Sequence, residues 1–146
     1  MVKTISQAGV LAKADSCAAI TQAEAGAALG RAVKPPVHGK ASVEGGVVCV
    51  FYGPSVAAGT DPDVPVGDSV RVVLVKGPQA EAFFADYRKK VRPQAVTGLG
   101  DQAFYDGYAS LSVLKGDAYV RIAVIGVRDV LGAEKMLAAD AIQRMK

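Results

Sequence analysis

The sequence contains no tryptophan and no asparagine, a single histidine and two cysteines. Without asparagine there is no acceptor for N-glycosylation, and glycine must take the left-handed turn positions that asparagine often fills. One imidazole cannot build a zinc site unless both thiols come to it, so no metal or other cofactor is expected. Charge of one sign is also scarce: 17 basic residues against 14 acidic ones leave a formal charge of only +3. No basic stripe interleaved with aromatics appears, which argues against nucleic acid as a partner. The densest basic run, Arg88, Lys89, Lys90 and Arg92, falls at the end of a predicted helix, where the helix dipole favours cations. No apolar run approaches the ~20 residues that cross a bilayer. The opening MVKTISQAGVLAKADS is not a signal peptide, because Lys3, Gln7 and Lys13 interrupt any apolar centre.

What is present is a core. Hydrophobic residues make up 51% of the 146, enough for one domain to bury about two-thirds of its unfolded surface without metals or multiple disulfides. Residues 1–14 lack periodicity and read as a flexible leader, leaving 15–146 as a single domain. Asp15 and Ser16 can cap a short turn, and Thr21-Gln22-Ala23-Glu24 forms a capping box that opens an alanine-rich helix ending at Gly30. Residues 31–45 read as loop, Val47–Tyr52 as a strand, Ser55–Gly67 as an exposed loop, and Val70–Val75 as a second strand. A helix follows Pro78, with Ala80, Phe83, Phe84, Tyr87 and Val91 on one face. Three strands then alternate through Ala103–Tyr105, Leu111–Val113 and Val120–Ile125, joined at Asp106-Gly107 and Gly116-Asp117 by turns read as two-residue hairpins. A last helix runs from about Leu131 to Met145. The order α-β-β-α-β-β-β-α, with tight turns between strands, predicts an α+β fold in which helices cover an antiparallel sheet.

Chemistry is harder to find. VTGLGDQAFYDG, residues 96–107, carries two glycines and an acid, but the glycines follow a helix and precede a strand. A phosphate loop needs the reverse order, so the stretch reads as a bend into a hairpin. His38 lies in a Pro/Gly loop without neighbours at metal-ligand spacing. Asp101, Asp106 and Asp117 all fall in turns, where aspartate is favoured for local reasons. No serine sits in a G-x-S-x-G elbow. No catalytic residue is assigned. Cys17 and Cys49 are not a C-x-x-C pair, and three readings stay open: a disulfide worth ~3–4 kcal/mol, two buried thiols, or one reactive thiol at a helix N-terminus.

Four segments carry a resemblance: DSCAAITQAEAGAALG, GGVVCVFYG, VTGLGDQAFYDG and LSVLKGDAYVRIAV. Together they resemble the domain of unknown function found in secreted actinobacterial lipoproteins, over most of the chain from Asp15 to Lys146. The resemblance implies a PsbP-like α/β/α sandwich, a disulfide between Cys17 and Cys49, and an exported protein, lipid-anchored through a cysteine upstream of these residues; cytoplasmic residence is the alternative. It implies no catalytic residues. The function expected is therefore a non-catalytic envelope domain that binds a protein or a small ligand, with loops 31–45 and 53–68 as recognition elements. Arg71 and Arg121 fall on the polar phase of their strands and, with Tyr105 or Tyr108, form a candidate anion patch. The competing readings are arginines lying flat along the sheet, a small hydrolase or isomerase using the turn aspartates and His38, and an intracellular thiol sensor.

Overall fold

A computed structural model describes residues 15–145. After a 3-10 turn at Ser16–Ala18, the described residues form α1 (Gln22–Leu29), β1 (Val37–Lys40), β2 (Val47–Tyr52), β3 (Ser69–Lys76), α2 (Ala80–Lys90), β4 (Gln94–Ala95), β5 (Gln102–Tyr105), β6 (Ser110–Lys115), β7 (Ala118–Ile125) and α3 (Val130–Ile142). The strands make one seven-stranded sheet in the order β1-β2-β3-β7-β6-β5-β4, every pair antiparallel. The fold is α+β, as the sequence predicts. The leader expected over residues 1–14 lies outside the described residues.

Alternation along the strands divides the molecule into two layers of core. Val70, Val72, Leu111, Val113, Val120, Ile122 and Val124 face α1 and α3, meeting Leu29, Leu137, Ala138 and Ala141 in the larger cluster. The opposite face is covered in two parts. α2 lays Ala80 and Phe84 on Phe104, Leu114 and Tyr119, with Phe84 edge-on to Phe104 at 5.1 Å. Loops cover the other part, over Val48, Val50, Tyr52 and Val73. Between these two patches the sheet carries polar side chains.

Two strands were not expected. β1 and β4 are edge strands with largely exposed residues, so neither shows the apolar alternation that marks a half-buried strand. The Asp106-Gly107 hairpin is also wider than a two-residue turn: the Asp106 amide donates to the Ser110 carbonyl across Gly107, Tyr108 and Ala109.

Local signals explain the element ends. Thr21 Oγ1 accepts from the Glu24 amide and Glu24 accepts from the Thr21 amide, completing the capping box, and Gly30 closes α1 at φ 80°. The GLGD stretch is a packing bend. A Cβ on Gly100 would sit 2.6 Å from the Leu114 carbonyl oxygen, and Asp101 accepts from the Gly116 amide at 2.7 Å, tying one turn to the next.

Candidate functional site

The sheet's polar seam starts from register. β3 and β7 are neighbours, with Arg71 opposite Ala123 and Val73 opposite Arg121. Both arginines therefore lie on one face, one diagonal step apart. They differ in what they touch. Arg121 is gripped by Glu44, with Nε donating to Oε2 at 2.8 Å and Nη2 to Oε1 at 3.1 Å. Its guanidinium also lies 5.2 Å from the centre of the Tyr87 ring. Glu44 reaches the sheet from the loop between β1 and β2 and accepts a further bond from Tyr119 Oη at 2.8 Å. Burial would lower the Arg121 pKa, but the bonds and charge of Glu44 outweigh it and raise it. Tyr119 is pushed up by burial and then by the Glu44 charge.

Arg71 has no carboxylate partner among the described residues. Its Nη2 donates to the Pro62 carbonyl at 2.9 Å, while its buried Nη1 has no hydrogen-bond partner there. Burial lowers its pKa, and the nearby Arg121 charge acts in the same direction. A buried unsatisfied donor of a charged group is costly, which makes this nitrogen the least settled polar atom of the seam.

A cleft of about 430 Å³ opens beside it, lined by Arg71, Tyr87, Arg121, Tyr108 and the apolar Pro65, Ile125 and Val130. A smaller cleft of about 140 Å³ adjoins it across Arg71 and Arg121, and reaches Lys40 and Asp63. At the larger cleft's edge Asp106 is saturated. Its Oδ1 accepts from the amides of Tyr108, Ala109 and Ser110, and its Oδ2 from the Tyr87 and Ser110 hydroxyls. Burial opposes ionisation of Asp106, yet these bonds, led by Ser110, hold its pKa below the ordinary carboxylate range. The carboxylate organises the loop that presents Tyr108, which is 87% exposed.

The structure thus gathers Arg71, Arg121 and Tyr108, and separates Tyr105 from them. Phe104 faces α2, so Tyr105, one residue on, turns to the opposite face. There burial raises its pKa, and negative charge on Glu134 or Asp106 acts in the same direction. The expected recognition loops are partly structural, since Glu44 inserts from the first and Pro62 supplies its carbonyl from the second.

Asp106 bonds to the amides of its own loop, and Asp101 to the Gly116 amide of the next turn. His38 stands on edge strand β1, so it does not converge with them. The cysteines form a Cys17–Cys49 disulfide with Cα atoms 5.2 Å apart. Beside it Ser16 Oγ donates to the Val47 carbonyl and accepts from the Leu74 amide, pinning the 3-10 turn to β2 and β3. His38, opposite Cys49 in the β1–β2 register, places Nε2 3.4 Å from Cys17 Sγ.

Two buried acids carry little signal in the sequence. Glu44 sat in a segment read as loop, with no signal that its carboxylate would be buried. Glu134 on α3 is 0% exposed. Its Oε2 accepts from the Val124 amide at 2.9 Å, and its Oε1 has no partner among the described residues. Burial pushes its pKa up to about 9. A glutamate three residues, one helical turn, before Leu137 on an otherwise apolar helix face is the signal available. It is not among the residues lining either cleft.

Comparison with family models, with curated proteins and with solved structures finds no match. No helix among the described residues is long and apolar enough to cross a membrane.

Proposed function

We propose that the chain is a non-catalytic binding domain of the cell envelope, and that its ligand is a small amphipathic anion seated in the larger cleft. The observation that carries this reading is the buried, unpartnered Nη1 of Arg71 beside an apolar wall. Arg121 is already neutralised by Glu44, so the patch offers one guanidinium rather than two. A single carboxylate or phosphate with an apolar body matches that inventory: its oxygen pairs with the Arg71 guanidinium as that group turns toward the cleft, and its body lies against Pro65, Ile125 and the Tyr108 ring. The cleft volume falls within the ~300–1,000 Å³ usual for small-molecule sites. Placement at the envelope is supported by the disulfide, which persists in oxidising compartments, and by the resemblance carried by the Asp15–Gly30 and Gly45–Gly53 segments. The turn aspartates give hydrolysis no support, because Asp106 is held by the amides of its own loop and Asp101 by the Gly116 amide of the next turn.

Calorimetric titration tests the reading, with hexanoate as the amphipathic anion, inorganic phosphate as the anion without an apolar body, and hexanol as the body without a charge. Hexanoate is expected to bind most tightly. Arg71→Met should weaken it by about tenfold to a hundredfold, the worth of a hydrogen bond to a charged group, and Arg71→Lys should restore part of the loss. Equal hexanoate affinity in wild type and Arg71→Met would refute it, as would absence of hexanoate binding.

A further inference from the structure

The disulfide has a second set of partners around it. Asp15 caps the 3-10 turn, its Oδ1 accepting from the Cys17 amide at 2.9 Å. Cys17 lies in that turn, and His38 arrives from β1 as the cross-strand neighbour of Cys49, so their side chains share a face. One ligand atom from each of Asp15, Cys17 and His38 lies within 4.8 Å of the others. A disulfide sulfur carries no proton, so the imidazole donates at the 3.4 Å contact between Nε2 and Cys17 Sγ. Asp15 and His38 are exposed and Cys17 is half-buried, whereas Cys49 is buried. The group opens outward, with Cys49 as its inner member.

We propose that reduction of this disulfide creates a zinc site whose ligands are Cys17, Cys49, His38 and Asp15. Two thiolates, a neutral imidazole and a carboxylate are a donor set suited to Zn²⁺. Tetrahedral zinc, with bonds of ~2.3 Å to sulfur and ~2.0 Å to nitrogen, holds its ligand atoms about 3.5 Å apart. The His38–Cys17 separation already matches that spacing. On reduction the two sulfurs move apart to non-bonded contact, and the metal enters from the solvent side between Cys17, His38 and Asp15. The 3-10 turn and β2 stay linked in both states, by a covalent bond when oxidised and by the metal when reduced, and the metal adds β1 through His38.

The exchange balances with an external dithiol as reductant. Its thiolate attacks the Cys17–Cys49 bond, the bond breaks, and the dithiol leaves as its own disulfide after giving up two electrons. Its two protons end on Cys17 and Cys49. Zn²⁺ then displaces both protons to solvent as it binds the thiolates. Reoxidation by a disulfide oxidant takes two electrons from the thiolates, reforms the Cys17–Cys49 bond and releases the metal. This site lies on the sheet face opposite the Arg71 cleft and does not depend on what that cleft binds.

The test uses the full chain, reduced anaerobically with a phosphine and titrated with Zn²⁺ against a chromophoric chelator, and separately with Co²⁺. The expected result is one zinc per reduced chain and none for the oxidised chain. Co²⁺ should give a thiolate charge-transfer band and the visible bands of a tetrahedral site. His38→Ala should lose affinity on the order of 10–100-fold or more, at least what loss of an outer-shell partner costs, with an unchanged thiol count. Cys49→Ser should abolish the charge-transfer intensity of one thiolate. Should the reduced chain lose its far-ultraviolet dichroism, recovery on adding one equivalent of Zn²⁺ would support the site. Failure to recover would overturn it. So would an absence of stoichiometric zinc, an octahedral Co²⁺ spectrum, or unchanged affinity in His38→Ala.

Discussion

Replacing Glu134 by Gln should change how stability depends on pH, and the size of that change follows from the burial of one carboxyl. Glu134 is 0% exposed, and burial raises its pKa from 4.5 to about 9. The folded chain therefore holds a proton on this group over a pH range in which the unfolded chain has released it. Stability rises with pH only where the unfolded state binds more protons. Here the folded state binds more, so stability falls as pH rises from the unfolded toward the folded pKa. The slope is about 1.4 kcal/mol per pH unit, so by pH 7 the accumulated loss is on the order of 3 kcal/mol. Glutamine keeps a carbonyl to accept from the Val124 amide and places an uncharged NH₂ where the protonated carboxyl sits. The difference in unfolding free energy, Glu134→Gln minus wild type, should thus grow by roughly 4 kcal/mol between pH 5 and pH 8. Urea unfolding followed by far-ultraviolet dichroism measures it, since the chain has no tryptophan to report fluorescence. Parallel pH profiles for the two proteins, or a difference that shrinks with rising pH, would refute the reasoning.

The other expectations concern the rest of the scaffold. Glu44→Ala strands a buried Arg121 guanidinium and the Tyr119 hydroxyl, and should cost about 3–5 kcal/mol in chemical unfolding; a loss under 1 kcal/mol would mean that solvent reaches the seam. Replacing both cysteines by serine removes a cross-link spanning 32 positions, a loss of about 3.7 kcal/mol and a melting temperature lower by roughly 10 °C. Gly126→Ala should lower the melting temperature by several degrees, on the order of 1–3 kcal/mol, because Gly126 has φ 107° and an added Cβ would lie 2.8 Å from the Asp68 amide nitrogen. In acid the sign reverses. Asp68, through Ser55 and Arg31, and Asp106, through Ser110 and Tyr87, have depressed pKa values. Their contributions are present above the unfolded pKa and vanish as pH falls through the folded one, so wild-type stability should peak near pH 4–5; a maximum above pH 7 would contradict that.

Most of the fold is legible in the sequence because local and long-range signals agree. The capping box at Thr21–Glu24, Pro78 ahead of α2, and the β-branched apolar runs of β3 and β7 each point to the element that forms. Exposed edge strands are the exception. β1 consists of Val37, His38, Gly39 and Lys40, and its strand character comes from pairing with β2 rather than from its own pattern. The site divides along a similar line. Strand phase alone places Arg71 and Arg121 on one face, and only the β3–β7 pairing makes them neighbours. It also removes Tyr105 once Phe104 is committed to α2. No pattern in the sequence marks Glu44, whose carboxylate meets Arg121 across 77 positions, nor the approach of His38 to Cys17, which requires β1 to exist.

Arg71 is the group on which the proposed anion site turns. Titrating ¹⁵N-labelled protein with hexanoate, while following both backbone amides and arginine Nε–H resonances, tests that directly. The Arg71 side chain should shift together with the amides of Tyr108 and Ala123, along one saturable curve that Arg71→Met abolishes. Shifts that leave Arg71 unmoved, or that cluster along the shallow groove beside Ala23, Gly26 and Ala27 of α1, would contradict the account.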